Sequence, residues 1–468
     1  MITASISVSA QSRQQQKTDS VLQIVAEHLT KKDANSIYEL TGKLFRSQLG
    51  LEQFRSIAAE QLFPLGVIRK TELLSFINNK TATYKVQFEL LTMQVLISLD
   101  ENDKIDLFYF KPFKLDPVQK LFAVPTTNPM RTQQDKQVDS VARTYIQKSN
   151  TVGLSLAVIK NGHVNLYNYG ETTKGQGQLP TSQTLYEIGS ITKTFTATIL
   201  ASLVNQGKMS LNDPITKYLP DTVAANPRLI GISIVTLINH TSGLPSLPAN
   251  FGLQQPYDPK NPYANYNLQL LFSYLKDCKP LSAPGTKYAY SNLAVGLLGV
   301  ILEKVSGKNF DQLVAATITT PLGMNNTMQH IYPLARPRFA PVYNEDAQQT
   351  TPWDFDVLGS CGGLHATLDD LVLYAKTNLD DDAATPLAKA VKLTHQVTFN
   401  NDARLALAWH IIVVDGVSYY FHNGGTYGSS SFLAFNKEKN LAVIVLSNAA
   451  ASTDALGVGI IKKLQVSH

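Results

Sequence analysis

The chain has 468 residues, 44% of them hydrophobic and only 16% charged, which excludes wholesale disorder. Its 41 Lys and Arg against 36 Asp and Glu give a net charge of +5 without a basic block, so neither nucleic acid nor an anionic membrane is expected as a partner. Two cysteines, Cys278 and Cys361, exclude a disulfide scaffold and a Cys-cluster zinc site, and leave open whether they pair with each other.

At roughly 150 residues per domain the length suggests about three domains. The longest apolar run, from Leu293 to Leu302, is about half of the roughly 20 residues a membrane helix needs, so no transmembrane segment is expected. Ser7-Val8-Ser9-Ala10 before Gln11 has the small-residue pattern of a signal-peptidase site, although no basic start or long apolar run precedes it. Residues 1–15 are therefore expected to be a residual export signal or a flexible start, and the location periplasmic or secreted.

Charge is denser early in the chain, with 15 basic and 13 acidic residues up to Lys120. Pro112, Pro117, Pro125 and Pro129 then interrupt a stretch without helical period. This divides the sequence into a small domain, residues 16–115, a linker, 116–132, and a large domain, 133–468. In the small domain Val21, Ile24, Val25 and Leu29 recur at helical spacing, and further apolar periods follow at Tyr38 to Phe45 and Phe54 to Leu62. From Ala82 to Leu90 apolar and polar residues alternate as in a strand with one wet face, and Leu96 to Leu99 and Ile105 to Phe110 read as a hairpin. Helices followed by an antiparallel sheet resemble a small α+β NTF2-like accessory domain. Such a module suggests docking or substrate presentation.

The large domain opens with a predicted helix from Asp135 to Lys148, followed by a hairpin, Leu154 to Ile159 and Val164 to Tyr169, around Asn161-Gly162. Three strands, Val417 to Phe421, Ser431 to Phe435 and Leu441 to Leu446, and a helix from Ala455 to Leu464 close the chain. About 200 mainly helical residues lie between. The expected fold class is α+β: one antiparallel sheet built from both ends of the domain, flanked by terminal helices, with a helical subdomain inserted.

Three stations carry chemistry. Ser190-Ile191-Thr192-Lys193 begins an apolar helical run, and a spacing of three puts Ser190 and Lys193 on one face. A hydroxyl needs a base before it attacks, and an amine serves as one where burial or neighbouring charge favours its neutral form. Read alone, Ser190 is a helix cap. Tyr290-Ser291-Asn292 enters a second apolar helix; a phenol can relay a proton, and an amide can hold both an amine and a substrate carbonyl. Read alone, they are a packed tyrosine and an Asn cap. His422-Asn423-Gly424-Gly425 ends a strand with bare backbone that can approach a ligand and offer an N–H to an oxyanion.

Together, in this order, the three stations resemble the serine β-lactamase and penicillin-binding protein family, in particular its class C branch. Residues Leu237 to Leu244, Pro321-Leu322-Gly323-Met324, Gly362-Gly363-Leu364 and Leu446-Ser447-Asn448 match in order as well, so the resemblance covers about residues 133 to 464. It implies a β-lactamase/transpeptidase-like fold and a serine hydrolase acting through an acyl-enzyme on a β-lactam, D-amino-acid peptide or ester carbonyl. Ser190 would be the nucleophile, Lys193 the base and Tyr290 the proton shuttle. Asn292, His422, Gly424 and Gly425 would contact the substrate, with an oxyanion hole from the Ser190 and Gly425 N–H groups. The partner is a small-molecule or peptide substrate, and neither metal nor cofactor is implied.

One departure stands out: the third motif usually reads Lys-Thr-Gly, and here a histidine, largely neutral at pH 7 unless an acidic neighbour raises its pKa, replaces the cation. Carboxylate recognition is expected to be weaker or pH-dependent. His-x-Gly members of the family include esterases and peptidases acting on D-amino-acid substrates. A protein with this fold that binds penicillin without turnover is the alternative. His240 and Asp354 receive no assignment, His240 being read as part of a structural turn.

Overall fold

The computed structural model describes residues 13–77, 80–113, 119–120, 123–380 and 384–465. The expected export signal, including Ser7 to Ala10, lies outside the described residues except for residues 13–15, which begin a helix. The chain divides into two compact units, residues 1–116 and 117–468.

In the first unit the helix Arg13–Thr30 buries Leu22, Val25 and Leu29, spaced three and four apart on one stripe. Ile24, expected on that stripe, is 40% exposed, because two residues from Leu22 is more than half a turn away. Three short helices, Ala34–Glu39, Lys43–Gln48 and Leu51–Ile57, lead to a four-stranded antiparallel meander: Ile68–Ile77, Thr81–Phe88, Thr92–Leu99 and Ile105–Pro112. Tyr84, Val86, Val95, Ile97 and Ile105 supply the sheet's share of the core. The first strand has no signal in the sequence. It is an edge strand whose register shifts between Ile68 and Lys70 and again between Leu73 and Ser75, so no clean alternation survives.

The second unit is built on an eight-stranded antiparallel sheet. From one edge the strands run His163–Gly170, Gly153–Lys160, Leu441–Ser447, Ser430–Asn436, Val417–Gly425, His410–Val414, Arg404–Leu405 and Phe399–Asn400. The hairpin turn forms as expected, with Asn161 and Gly162 at φ of 50° and 80°. The central strands read as continuous apolar runs because both faces are covered. Leu156, Val158, Val443 and Val445 face the terminal helices Gln133–Ile146 and Asp454–Gln465. Ala157, Ile159, Ile444 and Leu446 belong to the core that includes Phe195, Leu237, Leu298 and Leu371 of the helical region. Thr132 caps the first helix in a reciprocal capping box with Asp135 and so starts it at Gln133, two residues before the expected Asp135. The short strands Leu185–Glu187 and His365–Thr367 pair with each other, and they were not legible as strands. Cys278 and Cys361 are both buried and both free. Among the described residues no helix is long and apolar enough to cross a membrane.

Candidate active site

The strand Leu185–Glu187 runs into one turn, Gly189–Ile191, and the helix Thr192–Asn205. Gly189 has φ of 49°, and a Cβ there would lie 2.7 Å from the Gly425 N. A Cβ on Gly424 would lie 2.9 Å from the Ser190 N and nearer still to Ile188 O. The glycines let two backbones meet, and Ser431 Oγ fastens them by donating to Ile188 O at 2.8 Å. The Ser190 and Gly425 backbones therefore converge on one place. Gly425 is exposed there, while Gly424 is buried.

Ser190 does not cap the helix. Its Oγ receives Lys193 Nζ at 2.9 Å and Tyr290 OH at 2.6 Å. Lys193 is fully buried, and its Nζ also donates to Asn292 Oδ1 at 2.8 Å and Cys361 O at 2.6 Å. The cap of the helix Asn292–Ser306 is Ser291, whose Oγ accepts from Ala294 N, so Asn292 is free of that task. Asn292 instead spans Lys193 and Tyr263, donating from Nδ2 to the Tyr263 OH at 2.8 Å. The structure brings Ser190, Lys193, Tyr290, Asn292, Gly424 and Gly425 to one site.

His422 lies beside it but under the surface, 1% exposed. Its Nδ1 is 2.6 Å from Asn423 O, which can only accept, so Nδ1 carries the proton and Nε2 is bare. Burial, with His410 and Lys193 adding repulsion, holds its pKa well below the ordinary value. No acidic neighbour raises it, so the third motif presents a neutral ring. The Asn423 amide turns away to Asp454.

Sequence reasoning missed three residues here. Tyr263 supports Asn292, and its ring stacks on Phe355 at 4.5 Å and meets Trp353 at 5.1 Å, with Tyr427 beyond. It sits in an irregular stretch with no periodic signal. Glu187, three residues before Ser190, is buried and accepts from Trp353 N, Thr426 Oγ1 and Ser429 Oγ, pinning the segment after Gly425. Burial pushes its carboxyl above the ordinary range, and the three donors partly offset this. His240, inside the stretch read as a structural turn, packs on Tyr290 at 4.4 Å.

A serine whose oxygen is held by a buried lysine and a phenol, where its turn meets the backbone of the strand Val417–Gly425, defines a serine hydrolase that works through an acyl-enzyme. The model of the Beta-lactamase family matches residues 138–465, leaving the first unit outside it. A beta-lactamase of Pseudomonas fluorescens is 28% identical over 346 residues, 66% of this chain and 92% of that protein. The D-alanyl-D-alanine-carboxypeptidase/endopeptidase AmpH of Escherichia coli K12 is 29% identical over 326 residues, 66% of this chain and 82% of its own. Among solved structures, a beta-lactamase/D-alanine carboxypeptidase from Pseudomonas syringae superposes with TM-score 0.63 at 25% identity, covering 72% of this chain and all of that one. A mutant class C beta-lactamase gives 0.62 at 26% identity, over 72% and 98%. The chain belongs to the beta-lactamase family.

Proposed function

We propose that Ser190 is the nucleophile, Lys193 its base and Tyr290 the proton donor to the leaving group, on an uncharged ester or amide carbonyl. Two of the three Lys193 contacts are carbonyl oxygens, which fix two N–H directions. The third contact is Ser190 Oγ, 2.9 Å away, which places the amine to take the serine proton as the oxygen attacks. Ser190 Oγ then bonds to the carbonyl carbon and the carbonyl oxygen becomes an oxyanion, received by the N–H groups of Ser190 and Gly425. One such donor is worth about 100- to 1,000-fold in rate. When the tetrahedral centre collapses, the bond to the leaving group breaks and Tyr290 OH supplies its proton. The reverse path, with water as nucleophile and Tyr290 as base, frees the acid and restores Ser190.

The buried, neutral His422 carries the choice of substrate: the third motif offers no charge to a carboxylate. The aromatic wall of Tyr263, Trp353 and Tyr427 supports an apolar acyl group. A second reading, hydrolysis of β-lactams or D-alanyl-D-alanine peptides, is favoured by the names of the relatives. A panel of p-nitrophenyl esters, a chromogenic cephalosporin and D-alanyl-D-alanine peptides separates them: esters are expected to be turned over fastest, and a cephalosporin rate exceeding the ester rate overturns the preference. Ser190→Ala is expected to abolish labelling by a fluorophosphonate with an unchanged melting curve; retained labelling rejects Ser190. The helix-then-meander order of the first unit supports an NTF2-like accessory module. A periplasmic or secreted location rests on residues 7–10 and is tested by fractionating expressing cells, with a purely cytoplasmic pool as the contrary result.

A further inference from the structure

We infer that His240 is a positioning residue for Tyr290, holding the phenol against Ser190. This rests on the shuttle role proposed for Tyr290. His240 takes hold of the segment on both sides of that residue. Its backbone carbonyl accepts from Ala289 N at 2.8 Å, and its ring Nδ1 accepts from Ser291 N at 3.2 Å. Its ring lies against the Tyr290 ring, 4.4 Å between centres and tilted by 34°. Residues 289, 290 and 291 are thus each gripped by a different part of one residue.

Two further observations agree. His240 has φ of 60°, the left-handed region that a residue with a Cβ occupies only when its surroundings hold it there. A ring that accepts at Nδ1 must be neutral with its proton on Nε2, and this Nε2 is buried without a partner among the described residues. The groups facing the ring are Lys193, Tyr288, Tyr290, His410 and His422, with Asp402 behind Tyr288 at its backbone N. None is an acid placed to protonate it, and among the described residues no group of His, Cys, Asp or Glu side chains is arranged to hold a metal. His240 therefore acts as a fixed neutral prop. It acts on Tyr290 through the ring contact and the bonds on either side of it.

The test is a double-mutant cycle on ester hydrolysis. His240→Ala is expected to lower kcat about 10- to 100-fold, as a misplacement of roughly 1 Å does, with KM changed less than threefold. His240→Asn tolerates the left-handed backbone, and its Oδ1 can take the place of Nδ1 toward Ser291 N, so it is expected to recover part of the loss and to keep the fold if alanine does not. In a Tyr290→Phe background His240→Ala is expected to have no further effect, because it works only through the phenol. Full multiplication of the two losses, or an unchanged kcat, overturns the inference. A readout independent of the role of Tyr290 in turnover is the 4-13C-tyrosine NMR signal that Tyr290→Phe removes. It is expected to shift or broaden in His240→Ala, and an unmoved signal refutes the positioning even if Tyr290 proves dispensable.

Discussion

Gly424→Ala and Gly425→Ala differ by one position and are expected to differ sharply in effect. A Cβ on Gly424 would lie 2.9 Å from the Ser190 N and closer to Ile188 O, where non-bonded heavy atoms normally keep about 3.5 Å. Ser431 Oγ, also in the way, can rotate, but Ile188 O is backbone, so the strand Val417–Gly425 must retreat from the Ser190 turn by roughly 1 Å. Overpacking of this kind destabilises by about 1–3 kcal/mol. The same retreat separates the Ser190 and Gly425 N–H groups proposed to receive the oxyanion, and losing one such donor costs about 3 kcal/mol of transition-state stabilisation, roughly 100-fold in kcat/KM. A Cβ on Gly425 meets only Ser429 O at 3.9 Å, an ordinary contact, so that variant is expected to stay within about 0.5 kcal/mol of the parent. Hydrolysis of p-nitrophenyl esters and urea unfolding measure both quantities. If Gly424→Ala keeps kcat/KM within fivefold of the parent, the convergence of these backbones is not what organises the site.

Three further outcomes are expected. Lys193→Met is expected to abolish turnover and to destabilise by about 1–3 kcal/mol, because Asn292 Oδ1 and Cys361 O lose their donor; ester hydrolysis above a few per cent rules out Lys193 as base. Tyr263→Phe removes the acceptor for Asn292 Nδ2 and is expected to lower kcat/KM about tenfold, read by the same ester assay, with an unaltered value showing that Asn292 needs no support. Burial lowers the pKa of His395 to about 3, against about 6.5 unfolded, so the unfolded chain binds the extra proton and stability falls as pH drops from 6.5 toward 3. His395→Gln keeps a donor for Asn378 Oδ1 and is expected to flatten urea-derived stability in that window by about 1.4 kcal/mol per pH unit; parallel curves for the two proteins contradict this.

What the sequence made legible were features with local causes. Ser190 and Lys193 share a helix face by spacing alone, and the central strands declare themselves because both their faces are apolar. The edge strand Ile68–Ile77 and the half-exposed strand His410–Val414 were silent, since bulges and solvent erase alternation. The short pair Leu185–Glu187 and His365–Thr367 was silent because three residues hold no period. His240, Tyr263 and Glu187 escaped for another reason. Their partners Ser291, Asn292 and Ser429 stand tens to hundreds of residues away, and only the fold brings them near. The charge of His422 was open in the sequence, and the burial that lowers its pKa is something composition does not reveal.

The order of the strands has a consequence for how the protein is born. Ser190 and Gly425 lie about 235 residues apart, so a ribosome adding roughly 5–20 residues per second makes Ser190 about 10 to 50 s before Gly425. The strand Gly153–Lys160 must likewise wait for Leu441–Ser447 to cover its open edge. A nascent chain stalled between residues 193 and 425 thus carries Ser190 and Lys193 but not Gly425, and its unpaired strand invites chaperones or aggregation instead. Hydrolytic competence arrives only with the final strands, as a signature of completed synthesis.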